Sequence, residues 1–256
     1  MADFLPFATH QNVRRTPPHP VRTPSWAVTP RSRVTLQCRR DDGDDRQFVN
    51  DELTTSLELE ISAATVEALA RALELHDYRR GRFGETSTHT ARVTQLALRL
   101  AEEIVPELAL DPQLAYGFRL HDIGMIGVSN ATLLKPGMLT PAEIDEIREH
   151  PWLGERIVAP VPALGGVARQ VIACHHERWD GSGYPRGLRG IEIPLAARMF
   201  AVVDAYDAMT NDQPYRDALS VEESCVEIRQ KAGLDFDPDV VAAFLSFDLQ
   251  PPAQPF

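Results

Sequence analysis

Thiols are scarce in this chain. Three cysteines, Cys38, Cys174 and Cys225, are scattered over 256 residues without a Cys-x-x-Cys pair. That argues against a disulfide framework and against a structural zinc held by thiolates, and it fits a reducing compartment. Long apolar runs are also missing: no stretch approaches the roughly 20 residues that a membrane span needs. The first residues lack the apolar segment of a signal peptide, and Arg14-Arg15 runs into Thr-Pro-Pro, a poor twin-arginine signal. A cytoplasmic protein is the expectation. Positive charge is in deficit, with a formal net charge of −11. This argues against binding nucleic acid or an anionic membrane through a general field, though not against a local basic pocket for a phosphate. Strand-like alternation is rare, and no internal repeat emerges.

What is present divides in two. Residues 1–60 are set apart by composition. The first forty carry seven arginines against one acid, Asp3, with prolines at 6, 17, 18, 20, 24 and 30, and the acidic patch Asp41–Asp45 follows. This segment reads as a disordered or loosely ordered arm. From about Ser62 the pattern is helical, and 43% hydrophobic residues are enough for a buried core. Val66, Leu69 and Leu73 mark a first helix. Val93, Leu96, Leu100 and Ile104 mark a second over roughly 84–106, and a third is expected over 112–122. Thr-Pro-Ala-Glu at 140–143 is a start signal for a helix running to about His150. Further helices are expected near 153–159, 163–175, 194–211 and 221–232. The reading is an all-α body over 61–247 with a short tail over 248–256.

Of eight histidines, His10, His19 and His76 carry no further signal, and the other five sit at helix ends or beside acids. Glu85 and His89 are four apart and share a helix face that continues into the apolar stripe at Val93. His121-Asp122 follows an apolar run. His150 precedes Pro151, where a helix-end histidine is also favoured by the dipole. His175 and His176 are adjacent, and two neighbours reach one site only where the backbone turns. Asp204 lies between apolar residues of a helix, where an unpaired carboxylate is costly and a metal removes the cost. Asp207, one turn later, has Arg198 or Arg216 as candidate partners. Each feature has an ordinary explanation alone; together they need many coincidences. Five imidazoles and three carboxylates suit Fe(II), Mn(II) or Zn(II). Eight ligands are too many for one ion, so two or three ions bridged by Asp122 are expected. Cys174 reads as a small buried apolar side chain rather than a ninth ligand.

The stretches "ETSTHTARV", "HDIG", "LLKPGMLTPAEIDEIREHPWLGERI", "HHERWDGSGYPRGLRGIEIPLAAR" and "VDAYDAMTNDQPYR" come in the order and spacing of the HD-GYP family, a branch of the HD phosphohydrolase superfamily. The resemblance covers roughly residues 65–246. It implies an HD-domain-like helical bundle around a multinuclear metal site and metal-assisted hydrolysis of cyclic di-GMP to pGpG and, in many members, GMP. It implies metal ligands at His89, His121, Asp122, His150, His175, His176 and Asp204. Glu85 stands where members holding a third ion carry an extra Glu. Asp122 is the expected catalytic bridge, and Tyr184 and Arg216 match substrate-contacting positions. Two departures stand out: Met125 replaces a usual lysine, and Gln213 replaces a usual arginine. Each removes a charge-assisted hydrogen bond of about 1.5–3 kcal/mol, with Lys135, Arg178 and Arg186 as candidates to compensate. Two alternatives stay open: a phosphodiesterase for cyclic GMP-AMP or another phosphoester, and a catalytically weak metal-containing sensor. Expected partners are cyclic di-GMP, a signalling protein at the Gly-Tyr-Pro loop or the arm, and a second copy of the chain.

Overall fold

Cap residues in the sequence set the helix starts. The structure, a computed structural model, describes residues 62–76, 85–212 and 217–247, with the backbone alone at 85–88. The expected arm over 1–60, Gln213, Arg216 and the tail over 248–256 lie outside the described residues, as does the Glu85 side chain. The described residues are helical, without a strand beyond the isolated bridge Ala232–Phe236. In order they form α1 (62–76), α2 (Glu85–Ile104), α3 (Pro106–Ala109), α4 (Pro112–Arg119), α5 (Asn130–Leu133), α6 (Pro141–Arg148), α7 (His150–Val158), α8 (Val167–Cys174), α9 (Leu195–Thr210), α10 (Val221–Gln230) and α11 (Pro238–Phe244). Asp111, Ser129 and Asp237 accept backbone N–H groups in the first turns of α4, α5 and α11. Thr140–Glu143 and Ser220–Glu223 close reciprocal capping boxes on α6 and α10. None of the described helices is long and apolar enough to cross a membrane.

Two boundaries differ from the sequence reading. The third helix stops at Arg119, so His121 and Asp122 lie beyond it, leading into a 3-10 turn at Ile123–Gly127. The capped helix stops at Arg148, and His150 opens α7 instead of closing α6. The cause is Pro151: a proline is tolerated in a helix's first turn, where its missing N–H would have no partner. The dipole explanation of His150 therefore fails, because a helix start disfavours a protonated imidazole.

The central element is α9, buried along nearly its whole length. Phe200, Val202 and Val203 pack with Val93, Leu100, Leu114, Phe118 and Phe244 in the main core. Each fully buried side chain of this size contributes about 1.5–3 kcal/mol. A second cluster joins α1 through Val66 and Leu73 to Leu120, Ile123, Met125 and Ile172.

Close backbone approaches bring the segments together. A Cβ at Gly117 would lie 2.8 Å from Ala168 Cα, so α4 runs hard against α8. A Cβ at Gly124 would lie 1.9 Å from the His150 carbonyl oxygen and 2.5 Å from Gly154 N. The Ile123–Gly127 turn thus seats directly on α7. These contacts draw the ends of α4 and α8 and the start of α7 to one place, beside α9 and α2.

Candidate metal centre

Seven of the eight proposed ligands fall into two adjacent groups. Asp122, His150, His175 and His176 offer ligand atoms that all lie within 4.8 Å of one another, and so do His89, His121 and Asp204. The adjacent pair His175-His176 reaches one group because α8 ends there, with His175 as its C-cap. Glu85, the first residue of α2, stands one turn before His89 on the same helix.

The histidine tautomers follow from geometry. His121 Nδ1 lies 2.9 Å from Phe118 O, His150 Nδ1 2.8 Å from Ile147 O, and His175 Nδ1 3.1 Å from Ile172 O. A carbonyl only accepts, so each Nδ1 carries hydrogen, and in the neutral ring each Nε2 is a bare lone pair. Those lone pairs converge. His150 Nε2 and His175 Nε2 are 3.1 Å apart. Asp122 Oδ1 is 3.3 Å from the first and 3.7 Å from the second. Three acceptor atoms facing one another repel unless a cation or a proton lies among them. His121 Nε2 and Asp204 Oδ1 are buried without a hydrogen-bond partner among the described residues. The donor set therefore fits divalent ions, in the arrangement where a ligating imidazole donates its other N–H to a backbone carbonyl.

Asp122, a member of the first group, also faces the second. Its Oδ1 faces His150 and His175, and its Oδ2 lies 3.4 Å from His121 Nε2. One carboxylate thus presents an oxygen to each.

Charge is distributed unevenly. Burial opposes ionisation of Asp122, but His121, His150 and His175 outweigh it and hold the carboxyl well below its ordinary range. Burial lowers the pKa of His175, and it lowers that of His176 further, with the neighbouring imidazoles adding to the effect. These rings are neutral and ready to ligate. In the other group, burial is outweighed by Asp204 and Asp207, which raise His89 to about 9. A proton there does what a metal ion would do.

Sequence reasoning missed the support around His89. Asp207 is buried on α9, and its carboxylate accepts His89 Nδ1–H at 2.7 Å. The same carboxylate is held by Arg92, Nε at 2.6 Å and Nη2 at 2.8 Å. Of the two partners expected for Asp207, Arg198 instead bonds Asp237, and Arg216 lies outside the described residues. A usable signal was present: His89 and Arg92 on one helix have the same three-residue spacing as Asp204 and Asp207 on another.

The Gly-Tyr-Pro loop borders the first group. The Tyr184 ring stacks on His176, centroids 4.9 Å apart, and the Arg148 guanidinium lies 5.5 Å from the Tyr184 ring. Buried Glu177 shapes the loop by accepting Arg186 N–H at 2.8 Å and Leu188 N–H at 2.9 Å. Cys174 is buried, as the sequence suggested. Met125 packs in the apolar cluster of Leu120, Ile123 and Val128. The cations named to replace its missing charge are each engaged: Lys135 with Glu143, Arg178 with Asp235, Arg186 with Glu155.

Comparison with known proteins agrees with this geometry. Residues 54–240 match the HD domain family. A cyclic di-GMP phosphodiesterase of Thermotoga maritima is 42% identical over 168 residues, 64% of this chain and 45% of that protein. A probable cyclic di-GMP phosphodiesterase of Vibrio cholerae is 40% identical over 193 residues, 71% of this chain and 43% of that protein. A 3'3'-cGAMP-specific phosphodiesterase of Vibrio cholerae is 35% identical over 158 residues, 62% of this chain and 34% of that protein. The chain spans less than half the length of these relatives. Among solved structures, an HDG"Y"P protein from Bdellovibrio bacteriovorus shares the fold at 18% identity, with a TM-score of 0.53 over 77% of this chain and 66% of the other. With its His121-Asp122 pair and Gly183-Tyr184-Pro185 turn in place, the chain belongs to the HD domain family, in its HD-GYP branch.

Proposed function

We propose that this chain is a metal-dependent phosphodiesterase that hydrolyses cyclic di-GMP to linear pGpG and onward to GMP. The observation that carries the reading is Asp122, whose two oxygens face two separate histidine groups. Divalent ions held there would stabilise charge building on the phosphoryl oxygens and acidify the attacking water. His150, His175, His176 and Asp122 would hold one ion; His89, His121, Asp204 and Asp122 would hold the second. Fe(II) or Mn(II) suits this mixture of imidazole and carboxylate. Glu85 is assigned to a third ion from its place one turn before His89. A cytoplasmic setting is part of the proposal, since it supplies reduced thiols and the nucleotide. Tyr184 and Arg216 are assigned to the substrate, beside Gln213.

The deciding experiment is anaerobic purification and metal analysis, then incubation with cyclic di-GMP and separation of products. No turnover with Fe(II) or Mn(II) loaded would sink the enzyme. A metal content near two that Glu85→Ala leaves unchanged would reject the third ion.

One observation favours a second reading, a cyclic-dinucleotide sensor with slow turnover. The position of the usual lysine holds buried Met125, and Lys135, Arg178 and Arg186 are already ion-paired. Restoring Met125→Lys and Gln213→Arg separates the two readings: a large gain in rate supports the sensor, and no gain supports the enzyme as it stands. Rates on cyclic GMP-AMP beside cyclic di-GMP identify the preferred substrate.

A further inference from the structure

The loop that follows His176 folds back on its own start. Tyr184 N–H donates to His176 O at 3.2 Å, and Glu177 accepts the backbone N–H groups of Arg186 and Leu188. These bonds give the loop its shape but do not tie it to α7, whose first residue is His150. That tie is made by Glu155, five residues further along α7. Its Oε2 accepts Arg186 Nη2–H at 2.6 Å, and its Oε1 accepts Arg169 Nε–H at 3.0 Å. Arg169 lies on α8, which leads into His175 and His176. One half-buried carboxylate, 13% exposed, therefore joins the three segments that carry His150, the His175-His176 pair and Tyr184.

We infer that Glu155 is a positioning residue, clamping the Gly-Tyr-Pro loop to α7 through Arg186 and so keeping Tyr184 stacked on His176. Each oxygen serves a different guanidinium, so neutralising the carboxylate weakens both ties at once. Its charged bonds are of the strong, geometrically specific kind. The consequence for catalysis rests on the metal-centre reading above; the clamp itself does not.

The test uses the full chain, first free of metal. Hydrogen exchange in peptides covering 176–190 is expected to run about tenfold faster in Glu155→Gln and in Arg186→Gln, with peptides of α2 and α9 unchanged. Arg169→Gln leaves the Arg186 contact in place and is expected to keep the loop close to wild-type protection. The Glu155→Gln Arg186→Gln double variant should exchange no faster than the faster single, because both remove one interaction. Arg186→Lys keeps the charge and should recover part of the protection. With Mn(II) loaded, the Glu155 and Arg186 variants should raise KM by about tenfold and change kcat less. Unchanged loop exchange in both single variants, or additive effects in the double, overturns the clamp. Should Glu155→Gln fail to fold, Arg186→Gln carries the same test. A wild-type chain that binds no metal would instead sink the metal-centre reading, leaving the exchange result to stand for the clamp.

Discussion

Asp207→Asn isolates the role of the carboxylate behind His89. The native group makes three charged contacts, one to His89 Nδ1 and two to Arg92. An amide has one oxygen and one NH2 group. If the oxygen faces Arg92, the NH2 meets His89 Nδ1–H, and two donors oppose each other; turned round, it meets the guanidinium instead. Charge-assisted bonds contribute about 1.5–3 kcal/mol each. Arg92 is about a third exposed and regains water, which offsets part of the loss, so a cost of about 2 kcal/mol is expected. For a body of this size that lowers Tm by about 4–8 °C. The effect on metal is sharper, since removing such a partner costs roughly 10–100-fold in affinity. Calorimetric titration with Mn(II), backed by metal analysis, should show one ion weakened by that factor. The other, at Asp122, His150, His175 and His176, should be nearly unchanged. Two ions bound at wild-type affinity in Asp207→Asn would refute the reasoning.

Other perturbations address the frame and the surroundings. Gly124→Ala would place a methyl 1.9 Å from the His150 carbonyl oxygen, and the turn carrying Asp122 must separate from α7; a loss of at least about 3 kcal/mol is expected, read as a drop in Tm and in metal content. Cys174, pushed to about 12 by burial, is thiolate at pH 8 in only on the order of one molecule in ten thousand; mass spectrometry of the native protein should find iodoacetamide on Cys225 before Cys174. Glu143 is held at about 2 by the Lys135 ammonium and by Thr140 N–H. Because its folded pKa is depressed, the cap's contribution is present above the unfolded value near 4.5 and is lost as pH falls toward 2; a carbon NMR titration of its carboxyl should show that midpoint. Gly183→Ala should displace the Tyr184 loop more than Gly181→Ala does, measured by exchange in 176–190.

Much of the site was legible because its residues are chemically improbable in their places. Adjacent imidazoles at a helix end and a carboxylate within the apolar run Val202–Ala205 each need a partner, and the structure brings them into two groups that could hold ions. The helices of eight residues or more were legible from caps and apolar spacing, whereas the short α3, α5 and α11 were not expected. The boundary at His150 was not: Pro151 reads as a stop when one helix is followed along the chain, and as a start when the next begins without a loop. The partner of Asp207 was hidden for another reason. Pairing depends on which helix faces α9, and Arg92 stands 115 residues away from Asp207 in sequence.

The two glycines of Gly181-Ser182-Gly183 show where single-sequence reasoning ends. Both look like turn formers, and a turn explains only the first. Gly181 has φ +81°, a conformation that costs other residues roughly 1–2 kcal/mol, and an added Cβ would meet nothing nearer than 3.4 Å. Gly183 has no such backbone constraint. Its Cβ would instead lie 2.3 Å from Arg178 N and 2.6 Å from both Glu177 Cα and His176 O. Those are backbone atoms and cannot swing aside, so the loop itself must move. Its first casualty would be the Tyr184 N–H bond to His176 O, and with it the ring stacked on a candidate metal ligand. The glycine before Tyr184 is thus required by contact rather than by torsion, which is why it bears on the site while its neighbour bears on the turn.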